Sequence, residues 1–456
     1  MPDPVGDAVN TIKDNLSESW RDWDVSHGDL TENSQVLASL TPEERNEVIG
    51  QLGDGDLDKW ADEIHGTIGD LSASERQSLF NSLADGLDAE QLARVTAAFE
   101  GHDGSVAELG RAIAERAPAT VRVEYVERMA AQTDSGDTLQ IDAGLGYASS
   151  TQADPQAIAV GEVLASLSDD PASFDRAVAA LNDSQLSSVL ESAAGGSLTT
   201  VSGGHGASAT TVDYDPGLLA DIVTAAARSD DAATKARVFE VAAGQLQDIQ
   251  DAGGLFTPYV GQSDDVAAVS DALGTLLDSD PNGIVTQLRT NADPSGQAMV
   301  SYTAGLLASG QEDRVRDTIV RLQQGNDGSG NAYDAFQDPV VSRNLGYFTG
   351  ATAAAINNVT SDREAQADMV KNVFGTGFGA AGAANPAAGV IASVGNGITA
   401  QTIDSIVSAV AEGDKELKQA LYELGIPRDA SGAINDDGPG YDSYNAAFAA
   451  VAEANR

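Results

Sequence analysis

Four histidines, a few spaced carboxylates and one long uncharged run carry the side chains that could do chemistry in this 456-residue chain. His27, His65, His102 and His205 form none of the His-Glu-x-x-His or His-x-x-x-His pairs that set two imidazoles on one helical face around zinc. His65 and His102 stand beside Gly66 and Gly101, at the ends of helical patterns. There an imidazolium interacts favourably with the negative end of the helix dipole, so a structural role is expected for both. His205 lies in Gly203-Gly204-His205-Gly206-Ala207-Ser208, a glycine setting like that of an esterase oxyanion loop. No G-x-S-x-G elbow accompanies it, and a flexible loop is expected instead. The chain has no cysteine, which excludes disulfides, thiolate metal centres and thiol nucleophiles.

Carboxylates are abundant, so only their spacing informs. Asp54, Asp56 and Asp58 alternate as in an EF-hand, but Lys59 replaces the sharp-turn glycine and His65 falls at position twelve. The calcium candidate is Asp327, Ser329 and Asn331 with Asp338 at position twelve, although Ala332 stands where that glycine belongs. A plain interdomain loop is the competing reading, and no other cofactor is indicated. Paired glycosidase carboxylates are defined by separation in space and cannot be read from sequence. No residue is assigned a catalytic role, and a non-enzyme is favoured.

Between Lys371 and Asp404 there is no charge at all. Gly375, Gly379, Gly382 and Gly389 would let two backbones approach closely, and Pro386 divides the run into halves too short to cross a bilayer as helices. The segment 372–403 is therefore expected to pack as a helical hairpin, and would meet a membrane only by rearranging. Outside it, 70 acidic residues against 25 basic ones give a net charge of −45. Such a charge repels the phosphates of nucleic acid and of anionic lipid, leaving a protein partner or a secretion apparatus as the expected contact. The first twenty residues lack a basic n-region and an apolar h-region. Synthesis in the cytoplasm without a Sec signal peptide follows, with any export by a signal-independent route.

The elements that must position these residues read as helices. Leu40-Thr41-Pro42-Glu43-Glu44-Arg45 reappears as Leu71-Ser72-Ala73-Ser74-Glu75-Arg76, and each carries the S/T-x-x-E capping box. A helix and a second helix follow in each copy, a duplicated hairpin of about 31–35 residues with the stacking logic of helical repeats. Leu87-Asp88 through Gln91-Leu92 and Val95 is echoed by Leu181-Asn182 through Gln185-Leu186 and Val189. Apolar spacing predicts helices over 106–131, 157–167, 172–194, 216–228, 231–250, 264–278, 282–290, 296–309 and 311–324. The segments 134–156 and 196–215 read as a loop with at most one short strand and as a loop or small hairpin. The fold class expected is all-α, with repeated helical hairpins in an α-solenoid-like or multi-bundle array. Its divisions are an N-terminal segment 1–36 with Trp20 and Trp23, a duplicated-hairpin domain 37–133 and a central array 157–325. A Gly/Ala-rich module 340–424 and a terminal loop and helix 425–456 complete it.

The hairpins at 40–101 resemble helical repeats upstream of toxin domains in bacterial polymorphic toxins and secreted effectors. The runs 346–359 and 362–407 resemble a glycine-rich helical module of similar pre-toxin proteins. The resemblance implies a non-catalytic structural or interaction region, for delivery or scaffolding, and carries over no catalytic residue. A helical cell-wall hydrolase effector and a haloadapted scaffold or virion protein are the alternatives.

Overall fold

The computed structural model describes residues 3–17, 25–64, 71–99, 103–130, 137–142, 147–202, 208–252, 262–324, 332–374, 400–428, 434, 436 and 438–455. They belong to two compact units, Met1–Asp230 with Gly254–Pro258 and Asp231–Gly253 with Tyr259–Arg456. The boundary falls inside the stretch 157–325. Its cap, Ser229-Asp230-Asp231, is chemically like the caps within each unit, so local sequence does not mark it.

The first unit is a succession of helices: α1 (Pro4–Leu16), α2 (His27–Ser39), α3 (Pro42–Gln51), α4 (Asp54–Ile64), α5 (Ala73–Ala84) and α6 (Ala89–Ala98). It continues through α7 (Asp103–Arg116), α8 (Ala119–Met129), α9 (Pro155–Ser166), α10 (Pro171–Ala180), α11 (Asp183–Ala193) and α12 (Gly217–Ala226). Alternate helices pack on each other. α5 meets α7 and α7 meets α9, while α4 meets α6, α6 meets α8 and α8 meets α10. Successive hairpins thus stack in two layers, the arrangement of helical repeats. Small residues bring α7 and α9 together, because a Cβ on Gly110 would lie 2.6 Å from the Ala159 Cα.

The caps of the duplicated motif form alike in both copies. Thr41 and Ser72 accept from the Glu44 and Glu75 amides, and both glutamates accept in return from the cap backbones. Arg45 donates to the Leu40 carbonyl at 3.1 Å and Arg76 to the Leu71 carbonyl at 2.9 Å, the same five-residue reach in both copies. The second pair also matches, with Asp88 capping Gln91 and Asn182 capping Gln185. Thr41→Ala removes one capping oxygen and is expected to cost about 1 kcal/mol, read by urea unfolding. Thr41→Ser should cost far less.

Acidic caps make stability depend on pH in a residue-specific way. Bonds from the Ser173 hydroxyl and amide hold the Asp170 carboxyl below its usual range. Its contribution is present above the unfolded value near 3.8 and is lost as pH falls. Asp278 behaves oppositely, because burial, opposed by Arg321 and Arg314, pushes its carboxyl up. A raised value means a contribution complete below about 3.8 and lost as pH rises. Asp170→Ala should therefore lower the unfolding midpoint most at pH 7, whereas Asp278→Asn should compare best with the parent at pH 7 and worst near pH 3. Midpoints measured across pH 3–7 check both signs.

Two expected helices are each broken in two. The span 106–131 divides between α7 and α8 at Ala117-Pro118, where proline cannot supply its amide and restrains the residue before it. The span 172–194 divides between α10 and α11 at Leu181-Asn182, the capping box that the internal echo had marked. The two irregular segments join. β1 (Asp137–Asp142), β2 (Tyr147–Gln152), β3 (Ser197–Ser202) and β4 (Ser208–Asp213) form one antiparallel sheet in the order β1-β2-β3-β4, with Ser149 opposite Thr200 across the central pair. The helical class holds, with this small sheet added to it.

The second unit comprises α13 (Ala232–Asp251), α14 (Gln262–Ser279), α15 (Pro281–Gln287), a π turn at Leu288–Ala292, α16 (Gln297–Ala308), α17 (Glu312–Gln324) and α18 (Ala332–Phe336). α19 (Pro339–Val359), α20 (Arg363–Phe374), α21 (Ala400–Glu412), α22 (Leu417–Gly425) and α23 (Pro439–Ala454) follow. Its centre is α19, buried on all sides from Asn344 to Ile356 and touched by α15, α16, α17, α18, α22 and α23. A helix apolar around its whole circumference must be enclosed. Its polar groups are satisfied internally: the Tyr347 hydroxyl donates to the Asp293 carbonyl at 2.7 Å, and Asn344 Nδ2 to the Asn282 carbonyl at 3.1 Å. Gly346 and Gly350 let the α23 backbone lie against α19. A Cβ on Gly350 would sit 2.9 Å from the Phe448 carbonyl oxygen, and one on Gly346 would strike that of Tyr444.

Candidate functional site

The residues that sequence pattern singles out are dispersed. Asp327, Ser329 and Asn331 lie outside the described residues, while Asp338 is the N-cap of α19, accepting from the Val340 amide at 2.8 Å. Its carboxylate is thereby committed to the helix. Gly375, Gly379, Gly382, Pro386 and Gly389 also lie outside, as do His65, His102, His205, Trp20 and Trp23. The spaced aspartates are helical rather than looped: Asp54 pairs with Arg94 at 2.7 Å and Asp56 with Lys13 at 3.4 Å. His27 Nε2 lies 3.4 Å from Glu75. Among the described residues no three metal-ligating side chains converge, and no helix is long and apolar enough to cross a membrane.

Cavities lined by described residues of a single unit include three of comparable size. In the first unit, a cavity of about 580 Å³ is lined by Arg94 and Arg128, but these already pair with Asp54 and Glu90. In the second, one of about 490 Å³ collects Arg363, Lys415 and Lys418 beside Glu416, and Lys415 is paired with Glu423 at 2.6 Å. The third, of about 430 Å³, differs in kind. It runs between α13, α14 and α16, reaching Asn358 and Val359 at the end of α19. Gln247, Gln250, Gln262 and Gln297 supply amides, Ser263, Ser301 and Ser309 hydroxyls, and Val266, Val300, Ala304 and Ala308 an apolar strip. Among the described lining residues, Asp251 is the one ionisable group. In a chain of net charge −45, this cleft is lined mainly by uncharged polar groups.

Helical spacing explains the lining. Gln247 and Gln250 are three apart on α13, and Val300, Ala304 and Ala308 four apart on α16, so each set shares a face. Gln262 Nε2 crosses from the start of α14 to the carbonyls of Ile249, Gln250 and Ala252, at 2.7, 2.8 and 2.6 Å, closing the end of α13. Gln247 Oε1 accepts from Gln297 Nε2 and from the Ser301 hydroxyl, both at 3.0 Å. Gln250 Nε2 donates to the Ser301 carbonyl at 3.2 Å. Below them Gly305 leaves room that a Cβ would fill, 2.6 Å from Ser270 Oγ and 2.8 Å from Gln250 Nε2. The amides are thereby fixed in orientation while each keeps unused hydrogen-bonding capacity. Sequence reasoning missed this site, since its residues converge from three helices. The legible trace was a pair of amides, Gln247 and Gln250, on one face of α13 in an otherwise acidic chain.

No family model and no curated protein matches the chain. Among solved structures, it is similar to a chain in a homology model of the full-length AP-3 complex in an intermediate open conformation. That likeness, at 9% identity and a TM-score of 0.20, covers 98% of this chain and 87% of the other and is too slight to inform fold or function.

Proposed function

We propose that the chain is a non-catalytic helical scaffold, the delivery or interaction region of a bacterial secreted toxin or effector, and that it docks a protein partner. The stacking of hairpins in the first unit carries the scaffold reading. Alternate helices pack in two layers from α4 to α10, so each hairpin adds outer surface to a repeated plan. The toxin context rests on the resemblance of 40–101, 346–359 and 362–407. A net charge of −45 favours a partner with a basic face, and such attraction weakens with salt.

Expression in the periplasm and, separately, in the cytoplasm of a susceptible bacterium tests this reading against the hydrolase alternative. A scaffold leaves both cultures growing. Lysis from the periplasm alone would overturn it and favour a cell-wall hydrolase.

A further inference from the structure

We infer that the amide-lined cleft of the second unit binds an extended, mostly uncharged polypeptide segment, its main chain held by Gln247, Gln250 and Gln297 and a basic residue placed at Asp251. This rests on the interaction reading above and names the chemistry of the partner. A peptide main chain presents alternating donors and acceptors, and burying it requires both to be met. The cleft supplies both. Gln247 receives two bonds on its oxygen and keeps an amide donor, while Gln250 and Gln297 each spend a donor and keep a carbonyl acceptor. The strip Val300–Ala304–Ala308 offers small apolar seats beneath. Among the described lining residues none is aromatic and none is a cation, whereas uncharged amides and hydroxyls of the kind that pair with a peptide main chain predominate.

The test uses the full chain and a phage-displayed library of random dodecapeptides, followed by the best binder as a synthetic fluorescent peptide. Enriched peptides should carry lysine or arginine near one end. Their affinity should fall about ten-fold in Gln247→Leu and in Gln250→Leu, each removing a main-chain contact. Asp251→Asn should weaken binding less and flatten its salt dependence. N-methylation of the peptide main chain should abolish binding. Thermal melts establish that each variant is folded, and Gly305→Ala, whose added methyl would displace the Gln250 amide, gives an independent loss. Equal enrichment on a Gln247→Leu/Gln250→Leu double variant would overturn the inference, as would unchanged binding of the N-methylated peptide or preferential binding of an N-acetylglucosamine hexasaccharide. Failure here in a chain that causes no lysis removes the peptide site alone, whereas periplasmic lysis removes the interaction reading itself.

Discussion

Gly346→Ala is expected to destabilise the second unit by about 3 kcal/mol, the upper end of overpacking costs. The added methyl would point at the Tyr444 carbonyl oxygen, which is helix backbone and cannot rotate aside. Relief requires α23 to move off α19, and that contact also holds the bond between the Thr349 and Tyr444 hydroxyls at 2.8 Å. Gly244→Ala is the matched control. It lies on α13 with nothing within 4 Å of its added carbon, so helix propensity alone acts and should stabilise by up to about 1 kcal/mol. Urea unfolding of the full chain, followed through the transition of the second unit, measures both. Similar behaviour of the two variants would contradict the close helix approach.

Arg45→Ala carries the second large effect, a loss of about 3 kcal/mol in the first unit from unpaired carbonyls. Only 7% of Arg45 is exposed, and its guanidinium donates to the carbonyls of Leu37, Leu40 and Ser82, tying the ends of α2 and α5 together. Burial, partly offset by Asp85, makes its charged form harder to keep than usual. Geometry rather than charge is the point, so Arg45→Lys should lose nearly as much, since an ammonium cannot span three acceptors in a fork. Recovery of most of the stability by lysine would show that charge alone mattered.

What could be read from sequence was local. Thr41 with Glu44, Ser72 with Glu75 and Asn182 with Gln185 each lie within four residues, and the capping bonds form as their spacing implies. Aspartate-proline pairs mark helix starts for the same reason, at Pro4, Pro155, Pro171, Pro281 and Pro339. Pro118 and Asn182 were outweighed by continuous apolar spacing, which persists across a break when both helices bury the same side. The sheet was hidden because β2 and β3 are separated by three α-helices, α9 to α11, and neither hairpin alone declares its partner. Glycine placement was read where charge vanished, at 375–389. Those glycines lie outside the described residues, and among the described ones a close helix approach occurs at Gly346 and Gly350, whose neighbours Tyr347 and Phe348 gave no hint of a helix lying against them. The glutamines of the cleft follow the same rule, since three helices must fold together before they meet.

The scaffold account is tested most directly by incubating the purified full chain with peptidoglycan sacculi over pH 5–8 and measuring soluble muropeptides. The account predicts no release above buffer at any pH and at any protein concentration. Release that rises with protein and saturates with substrate would contradict it and make this chain an enzyme.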